Sequence, residues 1–104
     1  MDSQLKKGLL DVCVLSVLRR GESYGYKILS DVAPCIEIAE STLYPILKRL
    51  EAAGCVRSRT EAHNGRLRKY FTITAQGEEK IREFLQDAEM LKRIYAFIAD
   101  GGVT

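Results

Sequence analysis

The chain has 104 residues, of which 46% are hydrophobic and 29% charged, with a net charge of +2; this allows one domain with a modest core and excludes a chain disordered by composition. No apolar run approaches the roughly 20 residues of a membrane helix, and the N-terminus lacks the charged segment, apolar core and small-residue cleavage site of a secretory signal, so a cytoplasmic protein without membrane contact is expected. The three cysteines are widely spaced and accompany a single histidine, which argues against a zinc site within one chain.

The small net charge hides an asymmetry. Residues 41–70 hold seven cations and two anions, while the rest of the chain holds nine cations and twelve anions. A basic third in an otherwise mildly acidic chain fits a polyanionic partner; a solvated basic face is the alternative that charge alone leaves open.

Residues 4–19 read as a first helix. Leu5, Leu9, Val12 and Cys13 mark one apolar stripe and Leu10, Val14, Val17 and Leu18 another, so the helix needs cover on more than one side. A partner chain would supply that cover; a central helix of a monomer is the alternative. Gly21 is the expected left-handed cap. Ser23 is placed to cap a second helix from Tyr24 to about Val32, with Tyr26, Ile28, Leu29 and Val32 as its core side and Gly25 allowing close contact. Pro34 ends it, and Cys35 beside it is the cysteine expected at the surface, where a redox role stays open. Cys13 and Cys55 sit among apolar residues as reduced core thiols.

The third helix runs from about Glu40–Ser41 to Gly54. Leu43, Ile46, Leu47 and Leu50 share a core face, with Pro45 near the helix start, where a missing N–H costs little. Ser41, Thr42, Tyr44, Lys48 and Arg49 point elsewhere, and small hydroxyls, an aromatic ring and cations suit phosphates and base edges in a DNA groove. Two antiparallel strands follow, Cys55–Glu61 and Leu67–Thr74, joined by Asn64-Gly65, a strong hairpin turn. Leu67, Phe71 and Ile73 are expected on the buried face. Thr74 caps a last helix to about Ala99, in which Ile81, Phe84, Leu85, Ala88, Leu91, Tyr95 and Ile98 form an apolar stripe widened by Met90, Ile94 and Phe97. The tail Gly101–Thr104 is expected to lack order. The layout is mainly α with a small two-stranded antiparallel wing: a winged helix-turn-helix over residues 1–74, then a dimerisation helix and short tail over 75–104.

In this layout the third helix enters the major groove N-terminus first, with Ser41, Thr42 and Tyr44 nearest the bases and backbone and Lys48 and Arg49 on phosphates or, as the lesser alternative, guanine. Asn64, Arg66, Arg68 and Lys69 of the wing meet the backbone or minor groove, and Tyr24 reaches a phosphate from the second helix. Each has a plain alternative: packing for Tyr24 and Tyr44, a solvated cation for Lys48, an ion pair with Glu51 or Glu40 for Arg49. Leu9, Cys13, Leu91, Tyr95 and Ile98 are assigned to the dimer interface or an effector pocket. No catalytic residue, metal or cofactor is expected: the one histidine, His63, lies at a hairpin tip, and no phosphate-cradling glycine loop is present. A winged-helix module used only for protein–protein contact is the competing function, and the clustered cations speak against it.

The segments Gly21-Glu-Ser-Tyr-Gly-Tyr26, Ser41-Thr-Leu-Tyr-Pro-Ile-Leu-Lys-Arg-Leu-Glu51, Gly54-Cys-Val56 and Gly65-Arg-Leu-Arg-Lys-Tyr-Phe-Thr-Ile-Thr74 closely resemble the PadR family of bacterial transcriptional regulators. The resemblance covers about residues 5–80, and the single helix after the wing resembles the small members. It implies a homodimeric winged-helix repressor that binds inverted-repeat operators in double-stranded DNA and is released by a small aromatic or drug-like effector at the dimer interface. The chain departs from the small drug-sensing members in having no Trp; Tyr95 and Phe97 are the aromatic residues left to take its place.

Overall fold

The computed structural model describes residues 3–102, with side-chain surroundings from residue 8 onward. Its elements are α1 (Ser3–Leu18), β1 (Ser23–Tyr24), α2 (Gly25–Val32), α3 (Glu40–Ala52), β2 (Val56–His63), β3 (Arg66–Ile73) and α4 (Ala75–Ala99). The side chain of Leu5, and the tail residues Val103 and Thr104, lie outside the described residues.

The second apolar stripe of α1 lies at the centre of the core, with Val14 fully buried and Leu10, Val17 and Leu18 close behind; Leu15, in neither expected stripe, is fully buried beside it. Ile28 and Val32 of α2, the four apolar residues of α3, Val56 and Phe71 of the sheet, and Ile81 of α4 close around it. The first stripe is less covered, with Val12 buried but Leu9 and Cys13 only half-buried. Backbone bonds from Gly21 N to the Leu18 carbonyl and from Gly54 N to the Glu51 carbonyl end α1 and α3 where the glycines lead one to expect it.

The sheet has three strands in the order β1-β3-β2, one more than the sequence reading allows. Ser23 and Tyr24, read there as the start of a helix, pair instead with Phe71 and Tyr70. Ser23 therefore caps nothing: the N-cap residue of α2 is Tyr24, with no side-chain cap bond, and the Ser23 hydroxyl is buried without a partner. The β2–β3 hairpin runs in register from Val56↔Ile73 to His63↔Arg66. Its two-residue turn places Asn64 at φ 51° and Gly65 at φ 77°, the left-handed conformation that such turns need and that Asn and Gly tolerate best.

Three other expectations need correction. Tyr26, assigned to the core side of α2, is 79% exposed, and so is Leu67, assigned to the buried face of β3. Each falls on the right spacing, but Tyr26 lies on the solvent side of a short helix, and Leu67 shares its strand face with Phe71 only beyond the edge of the core. Pro45 is the sixth residue of α3, past the unpaired first turn, so it leaves the carbonyl of exposed Ser41 without an intrahelical partner. At the other end of the chain, Gly101 and Gly102 form a turn, donating to the carbonyls of Ile98 and Phe97 at 3.0 Å each.

Thr74 joins the halves of the fold. Its hydroxyl accepts from Gly77 N (3.2 Å) and donates to the Gly54 carbonyl (2.6 Å), and its amide bonds to the Cys55 carbonyl at 3.0 Å. The expected cap of α4 is thus present and also ties the end of α3 to the start of α4. Beyond Phe84 the helix leaves the core, and Leu85, Met90, Leu91, Ile94, Tyr95, Phe97 and Ile98 are all exposed, in a molecule 63 Å long. Among the described residues, no helix is long and apolar enough to cross a membrane.

Candidate nucleic-acid interface

The two faces of α3 separate as its spacing requires. Leu43, Ile46, Leu47 and Leu50 are buried, whereas Ser41, Thr42, Tyr44, Lys48 and Arg49 are exposed. The start of α3, the start of α2 and the wing enclose an open groove of about 490 Å³, which brings together Tyr24, Tyr44, Asn64, Arg66, Arg68 and Lys69. Ser41, Thr42 and Lys48 lie on the adjoining exposed surface, outside its lining.

Tyr44 crosses toward α2 over Gly25, whose missing side chain leaves room for the phenol. The close approach expected of Gly25 is therefore to a side chain of α3. The hydroxyl donates to Glu40, and burial first, then this carboxylate, raises the Tyr44 pKa.

The wing carries its cations on aromatic rings. The Arg68 guanidinium lies 4.0 Å from the centre of the Tyr24 ring. Tyr24 meets Tyr70 edge-to-face at 5.9 Å, and Arg59 lies 4.7 Å over Tyr70. These residues sit on one face of the sheet because Tyr24 pairs with Tyr70, and Arg59 does so from the other side. Such stacking holds a guanidinium in place at modest cost in side-chain freedom.

The cations divide into two groups. Arg59 is bonded through Nε (2.7 Å) and Nη2 (2.6 Å) to the Glu22 carboxylate and lies 3.5 Å from Glu61. The bidentate bond holds the Glu22 carboxyl below the usual carboxylate range and raises the guanidinium pKa. Lys69 is 3.4 Å from Glu51, which also accepts from the Ser58 hydroxyl. Lys48, Arg57, Arg66 and Arg68 have no ion pair among the described residues. Their charge is available to an anion.

Arg49 belongs to the first group, through a residue the sequence reading did not consider. Its guanidinium binds Asp11 of α1, a carboxylate only 7% exposed, and neither Glu51 nor Glu40 is its partner. The available signal was the lone acidic residue within the apolar part of α1. The interface assignments also divide. Leu9, Leu91 and Tyr95 line one apolar groove of about 600 Å³ between α1 and α4. Cys13 lines a different one, and Ile98 lies further along α4, 63% exposed.

A short helix presenting hydroxyls and cations beside a basic hairpin is the arrangement shared by many winged-helix regulators, and sequence comparison decides which kind. The profile of the transcriptional regulator PadR-like family matches residues 14–83. The chain belongs to the PadR-like family. It is therefore a transcriptional regulator and not an enzyme. The crystal structure of smu.1704 from Streptococcus mutans is 35% identical, with a TM-score of 0.77 over 94% of this chain and 92% of that one. A PadR family regulator from Eggerthella lenta is 32% identical, with a TM-score of 0.82 over 92% and 86%. The negative transcriptional regulator PadR of Bacillus subtilis is 30% identical over 82 residues, 74% of this chain and 45% of that protein. A crystal structure of Bacillus subtilis PadR in complex with operator DNA is similar at a TM-score of 0.68 and 29% identity, over 74% of this chain and 46% of that one. This PadR-like chain thus spans less than half the length of the Bacillus subtilis regulator and most of the other two.

Proposed function

We propose that this regulator is a dimeric, cytoplasmic repressor that binds an inverted-repeat operator in double-stranded DNA. Residues 1–74 form the DNA-binding domain, and residues 75–104 carry the dimerisation helix and tail. The observation that carries the reading is the common groove of α3 and the wing, where Tyr44 faces Asn64 and the unpaired Arg66 and Arg68. The similarity to a PadR crystallised with operator DNA supports it. Ser41, Thr42 and Tyr44 meet base edges and the adjoining backbone; Lys48, Arg66 and Arg68 neutralise phosphates. Lys69, Tyr24 and Arg49 act at the rim: Lys69 is shared with Glu51, Tyr24 holds Arg68, and Arg49 keeps part of its guanidinium exposed beside Asp11.

The exposed apolar side of α4 is covered by a second copy of the chain, two-fold dimers being the commonest assemblies. Leu9, Leu91 and Tyr95 then line a space between the copies that suits a small hydrophobic or aromatic effector, with Cys13 and Ile98 at its margins. Fluorescence anisotropy with the DNA upstream of the protein's own gene tests the interface. Lys48→Ala and Arg66→Ala are each expected to weaken binding by roughly 1–3 kcal/mol. Unchanged affinity in both variants overturns the placement of helix and wing on DNA.

A further inference from the structure

Two of the three cysteines meet, although they are far apart in the sequence. Cys13 on α1 and Cys35 in the connector after α2 line one groove of about 560 Å³, together with Val12, Val32 and Phe84. The two side chains are close enough for Cys35 to influence the ionisation of Cys13. Cys35 is exposed and Cys13 half-buried. The turn that presents Cys35 is fixed by bonds from Cys35 N (3.0 Å) and Ile36 N (2.9 Å) to the Val32 carbonyl. Cys55 is buried in the core, outside this groove.

We propose that Cys13 and Cys35 form a reversible disulfide within one chain when the protein meets hydrogen peroxide, and that closing this bond weakens DNA binding. The second clause rests on the DNA-binding reading above. Burial, and then the neighbouring Cys35 thiol, push the Cys13 pKa up. Cys35 is the exposed one of the two and meets the oxidant first. Its sulfur attacks one peroxide oxygen, the O–O bond breaks, and a sulfenic acid forms as the first water leaves. The Cys13 sulfur then attacks the Cys35 sulfur: the S–S bond forms, the S–O bond breaks, and the hydroxyl leaves as a second water with the Cys13 proton. Two thiols supply two electrons, and one peroxide becomes two waters.

The link to DNA is mechanical. An S–S bond is about 2.05 Å long, so closure draws the Cys35 sulfur across the shared groove to bonding distance of Cys13 on α1. Cys35 lies in the short connector that leads into α3 at Glu40, and the pull is passed to the helix whose first turns face DNA.

The test treats reduced full-length protein with hydrogen peroxide, alkylates it, and maps tryptic peptides without reductant. The expected product joins the peptides 8–19 and 28–48, with Cys55 alkylated. Alkylation of both Cys13 and Cys35, or a bridge to Cys55 or between chains, overturns the proposal. In anisotropy with the same upstream DNA, the bridged protein is expected to bind about ten-fold more weakly, a loss of 1.4 kcal/mol. Dithiothreitol restores binding, and Cys35→Ser binds as reduced wild type does and ignores peroxide. Equal affinity of bridged and reduced protein overturns the coupling. Failure of the reduced protein to bind any DNA instead sinks the DNA-binding reading and the coupling with it, while the peptide map still decides the bond.

Discussion

A methyl group on Gly25 would lie 2.7 Å from the hydroxyl oxygen of Tyr44. The first residue of α2 thereby sets where an aromatic side chain of α3 can rest. Gly25→Ala forces the Tyr44 ring outward, a shift a side-chain tip can make without unfolding the protein. The expected result is a loss of DNA affinity of about 1 kcal/mol with nearly unchanged thermal stability. Tyr44→Phe removes the colliding oxygen, so the two substitutions are expected to be non-additive in a double-mutant cycle. Additive losses in anisotropy would show that the two residues act separately.

Asp11 and Arg49 form the only described ion pair with a strongly buried carboxylate. Removing the cation leaves that carboxylate without compensation. Arg49→Ala is expected to lower the free energy of unfolding by about 1–2 kcal/mol, a figure reduced because Arg49 is half exposed. Lys48→Ala, one position earlier and unpaired, is expected to stay within about 0.5 kcal/mol of wild type. Urea unfolding of the two variants distinguishes a structural cation from one free for DNA.

Glu51 gives an acid-side signature. The Ser58 hydroxyl, with Lys69 as the lesser cause, holds its carboxyl below the usual carboxylate range. A folded-state value below the unfolded one contributes stability that is full above the unfolded value and is lost as pH falls through the folded one. Melting temperatures measured from about pH 5 down to about pH 3, across the carboxylate range, should therefore fall less steeply in Glu51→Gln than in wild type. The difference is expected to be small, because the group is near the surface. Parallel curves would mean that the bonds of Glu51 are not kept in solution.

The exposed apolar side of α4 makes a prediction about assembly. A chain ending at Gln86 keeps Ile81 and Phe84, which pack on the core, and loses Leu91, Ile94, Tyr95 and Ile98. Light scattering is expected to give a dimer for the full chain and a monomer for the shortened one. A shortened chain that remains dimeric would move the interface to α1.

Much of this was legible from local pattern. Leu43, Ile46, Leu47 and Leu50 announce α3 through a period that only a helix satisfies, and Asn64-Gly65 specifies the hairpin through backbone conformation alone. What escaped depends on residues distant along the chain. The two-residue strand Ser23–Tyr24 exists because β3 lies beside it, and two residues carry no alternation of their own. Arg49 has Glu51 and Glu40 close by in sequence, yet its partner Asp11 lies 38 positions away. Tyr26 has an apolar ring at helical spacing, but spacing gives the width of a face and not the direction in which a short helix turns it. The meeting of Cys13 and Cys35 escaped for the same reason: it requires the packing of α1 against the end of α2.

Thr74 bonds at once to Gly54 and Cys55, in the turn between α3 and the wing, and to Gly77 in the first turn of α4. In a dimer joined along α4, such a knot lets no hinge open between the handle and the blade. The two reading heads would keep a constant span, and the protein would tolerate little change in the number of base pairs between half-sites. Any signal received along the handle would swing both heads together.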